Sequence, residues 1–302
     1  MPFTPARSRS VALSPPWPEA QARVADFVAL TKPRLNLLVV ATTLAGYYLG
    51  VQEFDLGRLA ATTAGTALVA GGAAAFNEIL ERDTDALMRR TMGRPLPAGR
   101  MGVAPAAWFA AALATSGLAL LGAGANYLAA AVAAVTLLTY ALVYTPLKSR
   151  TPLATLVGGI PGGLPPMIGW AAATGTLSAP AWVLFAIVFF WQMPHFLAIA
   201  WLFRGDYAKA GLPLLPVIEP DGRSTAHQVL LYASMLVPVS LAPTLVGVAG
   251  RVYFAAVLAL GLVFLALAMR FARRRTNEAA KQLFIGSIAY LPLLWALMLV
   301  DH

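Results

Sequence analysis

The chain reads as an all-α integral membrane protein of about nine transmembrane helices around a central cavity. Three observations carry that reading. Of 302 residues, 59% are hydrophobic and only 12% charged, too little polar surface to cover a soluble globule. Apolar runs of spanning length follow one another with only short charged loops between them. The basic residues gather in alternate loops, as a multi-pass topology demands.

The first element is a tail. Residues 1–30 carry Arg7, Arg9, Arg23 and several Ser and Pro residues, without an apolar core and small-residue cleavage site. They read as a disordered cytoplasmic segment, and Pro15, Pro16 and Pro18 break any transit-peptide helix. Residues 31–302 then read as a single transmembrane domain. Its spans fall near 35–51, 59–80, 104–124, 127–147, 153–173, 180–203, 226–249, 252–270 and 283–300. Gly and Ala inside them, as in Gly71-Gly72-Ala73-Ala74-Ala75, let helix backbones approach closely where lipid supplies no hydrophobic drive. The run Gly159-Ile160-Pro161-Gly162-Gly163-Leu164-Pro165-Pro166 predicts a kink or break in the fifth span.

With a cytoplasmic amino terminus, 20 of the 22 Lys and Arg residues lie on that side, and only Arg58 and Arg251 fall opposite. One missed span would scramble this pattern. The carboxyl terminus is then expected on the far side of a cell inner membrane. The formal charge of +9 lies in loops beside lipid, so membrane lipid and phosphorylated substrates are the expected anionic partners, and nucleic acid is not. The absence of cysteine excludes disulfides, thiolate metal sites and cysteine nucleophiles, leaving oxygen and imidazole as the metal donors.

At the cytoplasmic end of the second span stands Asn77-Glu78-Ile79-Leu80-Glu81-Arg82-Asp83-Thr84-Asp85. Asn77, Glu81 and Asp85, spaced i, i+4, i+8, cover only about 80° of helix circumference and form one oxygen-rich stripe. Hard oxygen donors so arranged suit Mg²⁺, and with it a diphosphate; a solvated helix end paired with Arg82, Arg89 and Arg90 is the plainer alternative. Asp83, about 240° around from Asn77, is a secondary candidate. The following loop, Arg89 to Arg100, is stiffened by Pro and Gly and offers forked guanidinium donors to phosphate oxygens, Arg90 and Arg94 among them.

The sixth span ends in a similar polar patch on the same side, Arg204-Gly205-Asp206-Tyr207-Ala208-Lys209. Equal placement in two successive four-helix units predicts an internal pseudo-repeat plus a ninth helix, with the two polar edges facing across one cavity. His195, in Trp191-Gln192-Met193-Pro194-His195-Phe196, is an ionisable residue at membrane depth and a functional candidate on that ground; a hydrogen-bonded core histidine is the alternative.

The stripe followed by Met88-Arg89-Arg90-Thr91 and Arg94-Pro95-Leu96-Pro97 resembles the first signature of the UbiA superfamily of intramembrane prenyltransferases. Tyr144-Thr145-Pro146-Leu147-Lys148, Gly158 to Gly162, Trp191 to Phe196, and Asp206-Tyr207 with Gly211, Pro213 and Pro216 resemble the branch of protohaem IX farnesyltransferases, or haem O synthases. Glu81 stands where an Asp is common, and the second patch lacks the paired carboxylates of other members.

The resemblance implies transfer of the farnesyl group of farnesyl diphosphate to a vinyl group of haem B, with water added, giving haem O and diphosphate. It implies Mg²⁺ held by Asn77, Glu81 and Asp85, and diphosphate held by Arg90, Arg94, Lys148, Arg204 and Lys209. Haem would be bound by His195, with Tyr144, Asp206 and Tyr207 as secondary site candidates and a haem A synthase as partner for the product. Two other functions fit the same residues: prenyl transfer to another acceptor such as a quinone precursor, and cation-coupled transport. The acids cluster at one membrane surface, not at mid-membrane, which counts against transport.

Overall fold

The computed structural model describes residues 23–302, and these are helical, with no strand among them. Of the tail expected over residues 1–30, residues 1–22 lie outside the described ones, but Val24–Leu30 is not a disordered segment: it forms helix α1. Two ties order it. Leu30 is wholly buried beside Ala75, Leu96 and Ala106, and Asp26 accepts a hydrogen bond from Arg100 Nε at 2.8 Å.

Seven helical segments are long and apolar enough to cross a membrane. They are α3 (Leu56–Leu80), α5 (Val103–Gly124), the Tyr127–Leu147 segment, α10 (Ala179–Leu202), α13 (Arg223–Leu245), α14 (Arg251–Arg274) and α15 (Asn277–Val300). Between them run the less hydrophobic α2 (Pro33–Gly50) and the broken pass α8 (Ala154–Gly163) and α9 (Pro165–Thr174). With the seven they give nine helical runs among the described residues in the order expected, of which seven have the length and hydropathy of a membrane span. Short helices α4 (Arg82–Asp85), α11 (Arg204–Lys209) and α12 (Leu215–Ile218) lie in the connections.

Three departures from the expected spans have physical causes. The Tyr127–Leu147 segment is not one α-helix: α6 (Tyr127–Leu138) passes into a π-helical stretch, Thr139–Tyr144, before α7 (Thr145–Leu147). Pro146 removes a ladder donor there, and Thr145 Oγ1 donates to Tyr140 O at 2.8 Å instead. The fifth pass breaks at Leu164, where the prolines predict, and Gln192 Nε2 donates to the Gly159 carbonyl of α8 at 2.7 Å. The basic residues Arg270, Arg273, Arg274 and Lys281, expected in a loop, extend α14 and α15 and leave only Arg275 and Thr276 between the helices. Arginine and lysine are good helix formers whose stems run along apolar surface while their charges reach water.

Packing places α2 against α9, α3 against α5, and α10 among α8, α13 and α15. The first contact is backbone on backbone: a Cβ on Gly169 would strike Thr43 O, and one on Gly46 would strike Pro166 O. Helix α15 is no appendage, since it packs on α10 and α14 and its last turn caps the start of α14, where Asp301 Oδ2 accepts from Tyr253 N at 2.7 Å.

Candidate active site

The acidic stripe survives the end of α3 because the chain keeps helical spacing through the break: Glu81 N bonds Asn77 O at 2.9 Å and Asp85 N bonds Glu81 O at 2.8 Å. Asn77, Glu78, Glu81 and Asp85 are all buried. Buried acids must be paired, and three cations meet them, Lys32 and Lys148 from distant segments and Arg94 from the loop that follows.

Lys32 Nζ donates to Asn77 Oδ1 at 2.7 Å, and Asn77 Nδ2 donates to Thr145 Oγ1 at 3.1 Å. Lys148 Nζ bonds both Glu81 oxygens, at 2.9 and 3.1 Å. Arg94 Nη1 bonds Asp85 Oδ2, and its Nε lies 3.7 Å from Glu78 Oε1. Burial pulls the Lys32 ammonium down to about 8, aided by Arg94 and opposed by Glu78, Glu81 and Asp85. Burial works against the Lys148 charge too, but Tyr144 and Glu81 outweigh it and hold that ammonium above the usual lysine range.

The three expected metal oxygens therefore share one end of the bundle but do not converge as a cage, and among the described residues no three His, Asp or Glu side chains do. Each engages a different cation. Among the described residues two carboxylate oxygens nevertheless stay buried without a hydrogen-bond partner, Asp85 Oδ1 and Glu78 Oε2. They are the free donors a hard cation requires, so the residues present fit Mg²⁺ at Asp85 and Glu78, with Asn77 and Glu81 adjoining. Beside Glu81 and Lys148 lies a cleft of about 140 Å³, bordered by Thr84, Thr145, Ser149 and Leu212.

Arg90 crosses to the second polar patch. Its Nη2 donates to Tyr207 Oη at 2.9 Å and its guanidinium lies over the rings of Phe203 and Tyr207, 5.1 and 5.7 Å from their centroids. Tyr144 stacks on Tyr140 with ring centroids 5.5 Å apart. Asp83 is turned out, its side chain 87% exposed and paired with Arg82. Asp206 is half-buried and Lys209 exposed. Arg204 bonds Trp201 O and Asn277 Oδ1, each at 2.7 Å, and so reaches α15 and not the acidic stripe.

His195 lies half-buried against α15, its ring centroid 5.0 Å from those of both Trp191 and Phe284. Its Nδ1 is 2.7 Å from Ser287 Oγ, and Ser287 Oγ donates its one proton to Phe284 O at 2.6 Å. A neutral ring that donates from Nδ1 fits this pair of contacts, and in that tautomer the lone pair lies on Nε2, the state an imidazole needs to ligate a metal.

Sequence reasoning missed Lys32, Glu78, Tyr140 and Ser287. Lys32 carried one signal, its place just before Pro33 at a span boundary. It takes a left-handed backbone, φ 48°, unusual for a residue with a Cβ, and its ammonium is anchored on Asn77.

The UbiA prenyltransferase family model matches residues 39–297. A protoheme IX farnesyltransferase of Solibacter usitatus (strain Ellin6076) is 47% identical over 287 residues, 92% of this chain and 98% of that one. Among solved structures, one concerning digeranylgeranylglyceryl phosphate synthase in membranes is similar with a TM-score of 0.78 at 18% identity, covering 92% of this chain and 98% of its own. A UbiA homologue from Archaeoglobus fulgidus, bound to GPP and Mg²⁺, has a TM-score of 0.65 at 18% identity, covering 90% and 99%. At these identities the two structures speak to the fold alone.

Proposed function

The chain belongs to the UbiA prenyltransferase family, and from that premise we propose that it joins the farnesyl group of farnesyl diphosphate to a vinyl group of haem B. Water is added in the same reaction, and the products are haem O and diphosphate. The observation that carries the choice of acceptor is the contact of His195 Nδ1 with Ser287 Oγ, which leaves Nε2 for a ligand. A porphyrin iron can use that nitrogen; a hydroxybenzoate-type ring has no need of it.

The chemistry begins with the bond between farnesyl C1 and the diphosphate oxygen, whose electron pair leaves with the diphosphate. Three half-buried cations, Lys32, Arg94 and Lys148, stand where that charge would develop. In the ligand-free site they neutralise the acids; a nearly neutral Mg²⁺–diphosphate pair can enter because Lys32, Arg94 and Lys148 can turn from carboxylate to phosphate oxygens. Arg90, tied to Tyr207, links the loop to the second polar patch. Mg²⁺, when bound by Asp85 and Glu78 with Asn77 and Glu81 beside them, supplies further neutralisation of the leaving group. The vinyl π electrons then form the new carbon–carbon bond, and water captures the resulting cation and releases a proton. Bulk water must be excluded until then, or the farnesyl cation is hydrolysed.

The same reading places the enzyme in a cell inner membrane with a cytoplasmic amino terminus and the carboxyl terminus opposite, supported by the one-sided Lys and Arg loops. A haem A synthase is the partner class that would consume the product.

The deciding experiment is conversion of haem B and farnesyl diphosphate by the purified protein, with Mg²⁺ or with chelator, for wild type and Asp85→Ala. Farnesylated haem that needs metal and is lost in the variant is expected. Farnesyl transfer to a hydroxybenzoate but not to haem would move the assignment to another acceptor, and absence of diphosphate binding would overturn it altogether.

A further inference from the structure

Among the described residues Arg204 has no acidic partner. Its bonds go to two neutral oxygens, Trp201 O and Asn277 Oδ1, and its guanidinium stacks 4.7 Å from the Trp201 ring centroid. Both hydrogen bonds use Nη1, so among the described residues Nε and Nη2 have no partner and form a pre-oriented fork, half-exposed just past the end of α10. Neither Asp206, two residues on, nor Glu278, beside Asn277, pairs with it. A guanidinium fixed in this way fits a carboxylate bidentately.

Its position says whose carboxylate. Asn277, which anchors Arg204, and Phe284, which packs on His195, are seven residues apart on α15, so they share a helix face to within about 20° and are separated by about 10 Å of rise. Arg204 therefore stands below His195 on the same side of α15, toward the cytoplasmic end. The offset is that between the metal centre of a porphyrin and the end of its propionate arms.

We propose that Arg204 binds a propionate carboxylate of the acceptor, with Asn277 and Trp201 holding the guanidinium in place. This rests on the reading of haem B as acceptor, and it takes Arg204 away from the diphosphate role that its sequence position invites. The macrocycle then lies along the α10–α15 face, iron toward His195 and carboxylates toward the cytoplasmic surface.

The test compares binding of haem B and of its dimethyl ester, followed by the Soret band, in wild type, Arg204→Gln and Arg204→Lys, with farnesyl diphosphate affinity measured alongside. Wild type should prefer the free acid by roughly tenfold, the glutamine variant should bind acid and ester alike, and the lysine variant should recover part of the preference. Unchanged affinity for farnesyl diphosphate in Arg204→Gln shows that the fold is intact. An undiminished acid preference in Arg204→Gln overturns the proposal, as does a selective loss of farnesyl diphosphate affinity, which would return Arg204 to the diphosphate. Equal binding of acid and ester by wild type also overturns it and leaves a lipid phosphate as the occupant of the fork. If wild type binds no haem in either form, it is the acceptor reading that has failed, and this inference with it.

Discussion

Glu78 and Asp85 share one arginine: Arg94 bonds Asp85 through Nη1 and lies 3.7 Å from Glu78 through Nε, while each acid keeps one buried oxygen without a partner. Seven residues apart across the end of α3, they project the same way. The pair, and not the stripe alone, offers the unpartnered carboxylate oxygens at this end of the bundle.

Glu78→Gln should therefore raise the Mg²⁺ concentration needed for half-maximal farnesyl transfer by roughly tenfold or more, whereas Asp83→Asn should leave it unchanged. Titration of activity against Mg²⁺ checks both. Sensitivity at Asp83 with indifference at Glu78 would return the metal to the outer face of α4.

If His195 binds the acceptor as proposed, Ser287 is its positioning residue, since its hydroxyl engages Nδ1 and leaves Nε2 for the ligand. Ser287→Ala should weaken haem binding by about tenfold and alter the Soret position, and Ser287→Thr should restore much of both. Farnesyl diphosphate affinity should not move. If Ser287→Ala binds haem as wild type does, the tautomer is set elsewhere.

The spans were legible because their signal is length and hydrophobicity, and the break in the fifth pass because Pro161, Pro165 and Pro166 lack the donors a helix needs. Asn77, Glu81 and Asp85 were legible because helical spacing alone aligns them. Their partners were not. Lys32 is 45 residues from Asn77 and Lys148 is 67 from Glu81, separations that carry no local period. Lys32 also looks like any basic residue at a cytoplasmic span boundary. Glu78 is about 100° from Asn77 on the helix, off the stripe, and only the fold brings Arg94 to it. Arg204 shows the converse: the polar patch was visible, but its direction depends on Asn277, 73 residues away.

The contact of α2 with α9 predicts a cost for the smallest side chain. A Cβ at Gly169 would meet the Thr43 carbonyl and the Tyr47 backbone, neither of which can swing away as a flexible side chain would. Gly169→Ala should destabilise the protein by about 3 kcal/mol and lower its melting temperature in detergent, whereas Gly205→Ala, with nothing within 4 Å of its Cβ, should be nearly neutral. Equal melting temperatures for the two would mean that α2 and α9 are farther apart than the structure has them.

The tie between α1 and the arginine loop gives a pH signature whose sign can be worked out. The Arg100 guanidinium hydrogen-bonded to Asp26 holds its carboxyl below the usual aspartate range, against the opposing effect of burial. A carboxyl with a depressed folded-state value contributes stability above its unfolded value of about 3.9, and that contribution is lost as pH falls through the folded value. Asp26→Asn should therefore melt below wild type at pH 7, with the gap unchanged down to about pH 5 and closing as the pH drops further. Arg100 also donates to Gly93 O, so the loss should loosen the Gly93–Arg100 loop together with α1. Melting curves across that range, with amide exchange of residues 24–30 and 93–100, read both effects. A gap that stays constant through pH 3 would mean that Asp26 stabilises α1 by capping Arg23 N, at 3.2 Å, irrespective of its charge.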